Sequence, residues 1–167
     1  MPRNEGKGEF MGFLGGCACG ATRYEMTHTP LFVHCCHCTW CQRETGSAFV
    51  LNALIEARFV RVTKGQADPI NTPSESGNGQ RIYRCADCKV ALWSVYSGAG
   101  DRFYFLRAGT LDDAGAFPPD IHIYTSSKLP WVVLPDGVPT SDAFYRRSEA
   151  WPAASLERRK IELARDD

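Results

Sequence analysis

The chain has 167 residues, with 19 basic and 19 acidic side chains and no formal net charge at pH 7. This length predicts one domain with a sizeable core, and the balanced charge argues against a nucleic-acid partner or a membrane-surface partner. The longest apolar run, residues 49–55, is too short to cross a bilayer. Residues 1–10 are polar and lack the apolar segment of a signal peptide, so we expect a cytoplasmic protein whose eight cysteines stay reduced.

Short apolar stretches between turn-forming residues predict a mainly β fold of short antiparallel strands with little helix. A flexible leader at residues 1–12 precedes an alternating hairpin at residues 13–26. Further strands are predicted at residues 31–36, 48–55, 59–62, 80–84, 90–96 and 102–107, and residues 121–124 and 131–134 are two further apolar stretches. Residues 42–47 read as one helical turn ended by Gly46, and residues 63–80 as a loop or a loosely paired hairpin.

The predicted domain covers residues 13–147, and residues 148–167 form a charged C-terminal tail. This tail is prone to helix formation, and Leu156 and Leu163 give it a thin apolar stripe. We expect most of its charged side chains to face solvent.

Four of the eight cysteines form two pairs that lie far apart in the sequence. Cys17 and Cys19 are two residues apart in an extended segment, so their side chains can point to the same side. Cys85 and Cys88 form a C-x-x-C pair, which suits a tight turn with both thiolates on one ion. Four thiolates in two pairs are typical of a closed tetrahedral zinc site, so we predict one structural zinc here.

The other four cysteines lie in residues 34–41, His-Cys-Cys-His-Cys-Thr-Trp-Cys. Cys36, Cys38 and Cys41 have the spacing to place three thiolates on a second zinc. The fourth ligand position of this second zinc has three candidates: Cys35, a histidine (His34 or His37), or an exchangeable ligand, which is water or a substrate thiol. A position left to water or substrate is what a catalytic zinc needs, and a closed second structural site is an equal alternative.

Polar residues directly after this cluster are candidate substrate contacts. Gln42, Arg43 and Ser47 can hold the carboxylate or amide of a peptide-like thiol, or they can be surface and capping residues. We expect Trp40 to cover the metal. His122 has no partner nearby in the sequence, so we assign it no chemistry.

Several segments together resemble a known family. They are residues 15–21 (GGCACGA), 36–43 (CHCTWCQR), 46–49 (GSAF), 85–88 (CADC), 107–112 (RAGTLD), 122–124 (HIY) and 128–131 (KLPW). Over roughly residues 12–140 the chain resembles the glutathione-dependent formaldehyde-activating enzymes, a family that includes the centromere protein V type. One departure is Lys89, where the family usually has a glycine after the second C-x-x-C cysteine.

The resemblance implies a zinc-binding β-tent fold with two zinc ions per chain. It implies a structural zinc on Cys17, Cys19, Cys85 and Cys88, and a substrate-facing zinc on Cys36, Cys38 and Cys41. It also implies a carbon–sulfur lyase activity, in which glutathione adds to formaldehyde to give S-hydroxymethylglutathione, or a reaction of a related thiol adduct.

Two other functions compete with this one. The first is a non-catalytic, zinc-stabilised binding module of the same fold, in which the second site is closed by protein or carries no metal. The second is a methionine sulfoxide reductase, which needs a separate late nucleophilic cysteine. No cysteine follows Cys88, and this argues against the reductase.

Overall fold

The computed structural model describes residues 12–98 and 100–165, so the predicted leader lies outside the described residues apart from residue 12. Within the described part the protein is mainly β, as predicted, with eleven strands and three α-helices. The strands are β1 Phe13–Gly16, β2 Arg23–Met26, β3 Phe32–Cys36, β4 Val50–Glu56, β5 Val60–Lys64, β6 Ala67–Thr72, β7 Gln80–Cys85, β8 Ala91–Tyr96, β9 Phe103–Arg107, β10 Ile121–Ile123 and β11 Thr140–Ser141. The helices are α1 Thr39–Thr45, α2 Arg147–Ala150 and α3 Ala153–Leu163.

The strands form two sheets. The small sheet has the order β1-β2-β5, and the large sheet has the order β11-β10-β3-β4-β9-β8-β7-β6. Most neighbouring strands are antiparallel, whereas β10 pairs in parallel with both β3 and β11. Strand β3 therefore lies between β4 and β10, with both of its edges hydrogen-bonded.

Side chains alternate between the two faces of the large sheet, and each face has its own core. On one face Val33 and Ile55 pack with Tyr24 and Met26 of the small sheet. The alternate residues of β3 and β4, such as Phe32, point to the other face, where they pack in a second hydrophobic core cluster. This alternation also divides the cysteines and histidines of residues 34–37 between the two faces.

The C-terminal tail packs against the sheet. Trp151 is buried in the second core cluster, and Ser155 of α3 donates a hydrogen bond to the carbonyl of Leu31. Arg158 of α3 forms an ion pair with the buried carboxylate of Glu56 on β4. The expectation that the charges of the tail face solvent is therefore wrong for Arg158, because Glu56 needs a cation to be buried at low cost.

Residues 63–80 and 131–134 are two further segments whose structure the sequence left open. Residues 63–80 include β6, which pairs with β7 over six residues, so the hairpin alternative is correct. Trp131 and Val133 lie in an apolar stretch but are 71% and 89% exposed, and this stretch is not a strand.

No helix within residues 12–98 and 100–165 is both long and apolar enough to span a membrane.

Candidate metal centres

The two spaced cysteine pairs come together as predicted. Cys17 and Cys19 lie in the turn between β1 and β2, and Cys85 and Cys88 lie at the end of β7 and in the turn after it. The sulfurs of Cys17 and Cys19 are 3.4 Å apart, and those of Cys19 and Cys85 are 3.9 Å apart. A tetrahedral zinc with Zn–S bonds of about 2.3 Å places neighbouring sulfurs roughly 3.8 Å apart, so these four residues fit a four-thiolate site.

The backbone around this cluster is arranged to stabilise thiolates. The N–H of Thr22 donates to Cys17 Sγ at 3.2 Å, and the N–H of Asp87 donates to Cys85 Sγ at 3.4 Å. After each pair the chain turns through a left-handed residue, Gly20 with φ 72° and Lys89 with φ 62°. Lys89 therefore adopts the positive φ that glycine would adopt more easily, and the turn is kept despite the side chain.

The second cluster lies where β3 leads into α1. Cys36 is the last residue of β3, Cys38 is the N-cap of α1, and Cys41 is in its first turn. The N–H of Cys41 donates to Cys38 Sγ at 3.4 Å, and all three sulfurs lie within 4.8 Å of one another. Among the described residues, no fourth thiol, imidazole or carboxylate belongs to this group.

The three thiols of the second cluster titrate together. Hydrogen bonds from the thiols of Cys36 and Cys41 lower the pKa of Cys38. The pKa of Cys36 is raised, mainly by its hydrogen bonds to Cys38 and Cys41 and then by burial. One thiolate is thus easily formed, whereas three thiolates at this distance need a cation to balance their charge.

A cavity of about 330 Å³ opens next to Cys36, Cys38 and Cys41. Its size is at the lower end for small-molecule sites. Trp40 and Tyr124 form part of its wall, so both lie beside the cluster rather than in the interior.

The C-terminal segment supplies another wall of the same cavity. Phe144 and Arg147 line it, and His34 lies nearby with Nε2 2.7 Å from the hydroxyl of Tyr145. The indole N–H of Trp151 donates to the same hydroxyl at 2.6 Å. Burial lowers the pKa of His34 to about 4, so its neutral ring can accept the proton of Tyr145. This hydrogen-bonded chain connects the tail to β3.

The structure does not bring Gln42, Arg43 and Ser47 to this cavity. The side-chain amide of Gln42 donates to the carbonyls of His37 and Ser127, at 2.7 and 2.9 Å, so it joins α1 to the turn after β10. Arg43 and Ser47 are exposed and do not line the cavity. For Gln42 and Arg43 the reason is helical geometry, because Cys41 faces the cavity and each following residue is rotated by about 100° around the axis of α1. Ser47 lies beyond the end of α1.

The family model for the glutathione-dependent formaldehyde-activating enzyme matches residues 13–127. The chain belongs to this family. A crystal structure of a Rhodobacter sphaeroides protein is also similar, with a TM-score of 0.44 and 17% sequence identity over 60% of this chain and 88% of that chain.

The family match includes all seven cysteines of the two clusters and ends before the C-terminal wall of the cavity. Phe144, Arg147 and Trp151 therefore belong to the part of this chain that the family model does not describe. No pattern in the sequence predicts that Phe144 and Arg147 reach the cavity, or that Trp151 bonds to Tyr145 beside it, because these residues meet β3 only through tertiary packing.

The candidates for the fourth position of the second cluster are separated by the pleat of β3. Cys35 points to the face opposite Cys36, and its sulfur lies 3.6 Å from His37 Nε2. His37 is in turn 3.0 Å from His122 Nδ1. Cys35 and His37 therefore belong to a different cluster. The place of His122 in this cluster is not predictable from the sequence, because its partners lie 85 or more residues earlier in the chain.

Proposed function

We propose that this protein is a zinc-dependent carbon–sulfur lyase that forms S-hydroxymethylglutathione from glutathione and formaldehyde, or acts on a related thiol adduct. The observation that carries the proposal is the cluster of three thiols without a fourth protein ligand, beside a cavity, among the described residues. A structural site of this kind is normally closed by a fourth ligand from the protein. Membership of the family supports the same reaction class.

In this proposal each of the two cysteine clusters holds one zinc ion. Cys17, Cys19, Cys85 and Cys88 bind the structural ion, and Cys36, Cys38 and Cys41 bind the other. Zinc at the second cluster supplies a thiophilic, Lewis-acidic position that favours the thiolate form of a substrate thiol. In the overall reaction a carbon–sulfur bond forms and the carbonyl π bond of formaldehyde breaks. The thiol proton ends on the former carbonyl oxygen, which becomes the new hydroxyl group.

The cavity contributes binding and orientation. Of the described residues that line it, Arg147 is the cationic side chain and Glu75 is the carboxylate. Arg147 can pair with a carboxylate of a peptide-like thiol, and Glu75 can pair with an amino group. Glutathione carries both kinds of group. Holding two small reactants together in a confined space can itself remove much of the barrier.

The test is the rate of S-hydroxymethylglutathione formation, with the zinc content determined on the same sample. We expect acceleration over the uncatalysed reaction, and we expect Cys38→Ser to remove it and to lower the zinc content by about one ion per chain, while the ion of the four-thiolate site stays bound. If the protein holds zinc at both clusters and gives no acceleration, this substrate assignment is wrong, and a binding module becomes the better description.

A matched pair of arginine variants tests the role of the cavity. Loss of a charged hydrogen bond costs about 1.5–3 kcal/mol. Because Arg147 is exposed at the cavity edge, we expect Arg147→Ala to raise KM for glutathione by about tenfold, the lower end of that range. Arg146→Ala is the control, because Arg146 is highly exposed, pairs with Glu149 and does not line the cavity. Equal KM values for the two variants would remove Arg147 from substrate binding.

A further inference from the structure

A third cluster of metal-binding side chains lies on the opposite face of the large sheet from the cavity. It consists of Cys35 on β3, His37 just after β3, and His122 on β10. Cys35 and His122 are direct partners in the parallel pairing of β3 and β10. All three side chains are buried, with exposures of 2%, 0% and 6%. The proposed lyase reaction uses none of them.

The distances in this cluster suit one small cation. Cys35 Sγ lies 3.6 Å from His37 Nε2, and His37 Nε2 lies 3.0 Å from His122 Nδ1. A tetrahedral zinc with Zn–S bonds of about 2.3 Å and Zn–N bonds of about 2.05 Å gives an S–N separation of roughly 3.6 Å and an N–N separation of roughly 3.3 Å. Shifts of a few tenths of an ångström would therefore complete the geometry.

Hydrogen bonding alone satisfies these three atoms poorly. If His37 Nε2 carries a proton, its single N–H can form a full hydrogen bond to only one of His122 Nδ1 and Cys35 Sγ, and it has no lone pair to accept from the Cys35 thiol. If His122 donates instead, the single lone pair of His37 Nε2 is already used, and the thiol again has no free acceptor there. One cation would interact with all three atoms at once.

We propose that Cys35, His37 and His122 bind a third metal ion. One thiolate and two imidazoles form a donor set suited to zinc, with water in the fourth position. The ion would fix β10 to β3. It would thereby hold in place the part of the cavity wall that Ile123 and Tyr124 form directly after His122. Its role would be structural, on the side of the sheet away from the reacting groups.

The surroundings also predict the relative affinity of this site. The outer ring nitrogens, His37 Nδ1 and His122 Nε2, are buried and have no hydrogen-bond partner among the described residues. Metal-binding histidines normally donate this second N–H, and loss of such a partner typically weakens metal binding by about 10–100-fold. We therefore expect a chelator to remove this ion before the ion of the four-thiolate site.

The experiment is cadmium-113 NMR and native mass spectrometry of the full chain, loaded with excess metal under reducing conditions and then desalted. We expect three bound ions and three cadmium signals in the wild-type protein. His122→Ala should lose one ion and one signal and keep the two signals of the cysteine clusters. His28→Ala should keep all three, because His28 stacks on Phe59 at a distant position.

Two outcomes would overturn the proposal. One is a wild-type protein that shows no cadmium signal beyond those of the two cysteine clusters at saturating metal. The other is an unchanged set of three signals in His122→Ala. If His122→Ala does not fold, Cys35→Ser replaces it, and the wild-type count of ions still decides the question. None of these readouts depends on lyase activity, so the result is independent of the proposed reaction.

Discussion

Glu44 connects the two cysteine clusters, and its removal gives the sharpest test of the architecture. Glu44 lies on α1, the helix that carries Cys41, and its carboxylate pairs with Arg84, the neighbour of Cys85. It also lies 3.4 Å from the guanidinium of Arg107. The side chains of Glu44 and Arg107 are both 8% exposed, so this is a buried charge network.

The expected cost of Glu44→Gln follows from these exposures. Removing one charge from a buried ion pair costs about 3–5 kcal/mol. Arg84 is 22% exposed and recovers some hydration, and Arg107 keeps its hydrogen bonds to Asn52 and Ser94. We therefore expect the free energy of unfolding to fall by about 2–3 kcal/mol, which lowers Tm by about 4–12 °C for a chain of this size.

The assay is thermal unfolding at the same saturating zinc concentration for each protein, so that metal binding contributes equally. The control is Glu157→Gln on α3. The Glu157 side chain is 61% exposed and makes a weak ion pair with Lys160 at 4.0 Å, so we expect its free energy of unfolding to change by less than about 0.5 kcal/mol. We also expect Glu44→Gln to release the metal of the second cluster to a chelator more easily. Equal Tm values for the two variants would refute the argument that Glu44 is part of a stabilising buried network.

Three further predictions concern the tail, the second cysteine turn and the four-thiolate site. Arg158→Ala leaves the carboxylate of Glu56, 1% exposed, without its cation, and should lower the free energy of unfolding by about 2–4 kcal/mol in a denaturant titration. Lys160→Ala on the same helix should change it by less than about 0.5 kcal/mol, and similar values for both would contradict the docking of α3. Lys89→Gly relieves a left-handed lysine and should raise Tm by about 2–4 °C; a decrease would show that the side chain stabilises the turn. Removing metal with a chelator should increase amide hydrogen exchange at residues 17–22, reversibly on zinc addition, whereas unchanged exchange would argue against a zinc that fixes this hairpin.

Local sequence patterns predict much of the fold because strands and turns are set by nearby residues. An alternating pattern predicts β2, an extended segment at residues 31–36 predicts β3, and Gly46 predicts the end of α1, where it adopts φ 65°. The cysteine spacings predict both clusters, because a pair at i and i+2 in a strand, or a C-x-x-C turn, can only bring its sulfurs together in a few ways. The position of the charged tail is not predictable in this way, since Arg158 meets Glu56 across 102 residues.

The sequence by itself therefore determined the mainly β class, the two sets of cysteines with the spacing of metal ligands and the likeness to the family. These features depend on residue type and on short spacing. Only the tertiary structure decided that Arg147 and Phe144 line the cavity, that Gln42 does not, and that His122 lies beside His37. These facts depend on which distant segments pack together, and that is set by the pleat of β3 and by burial rather than by any local pattern.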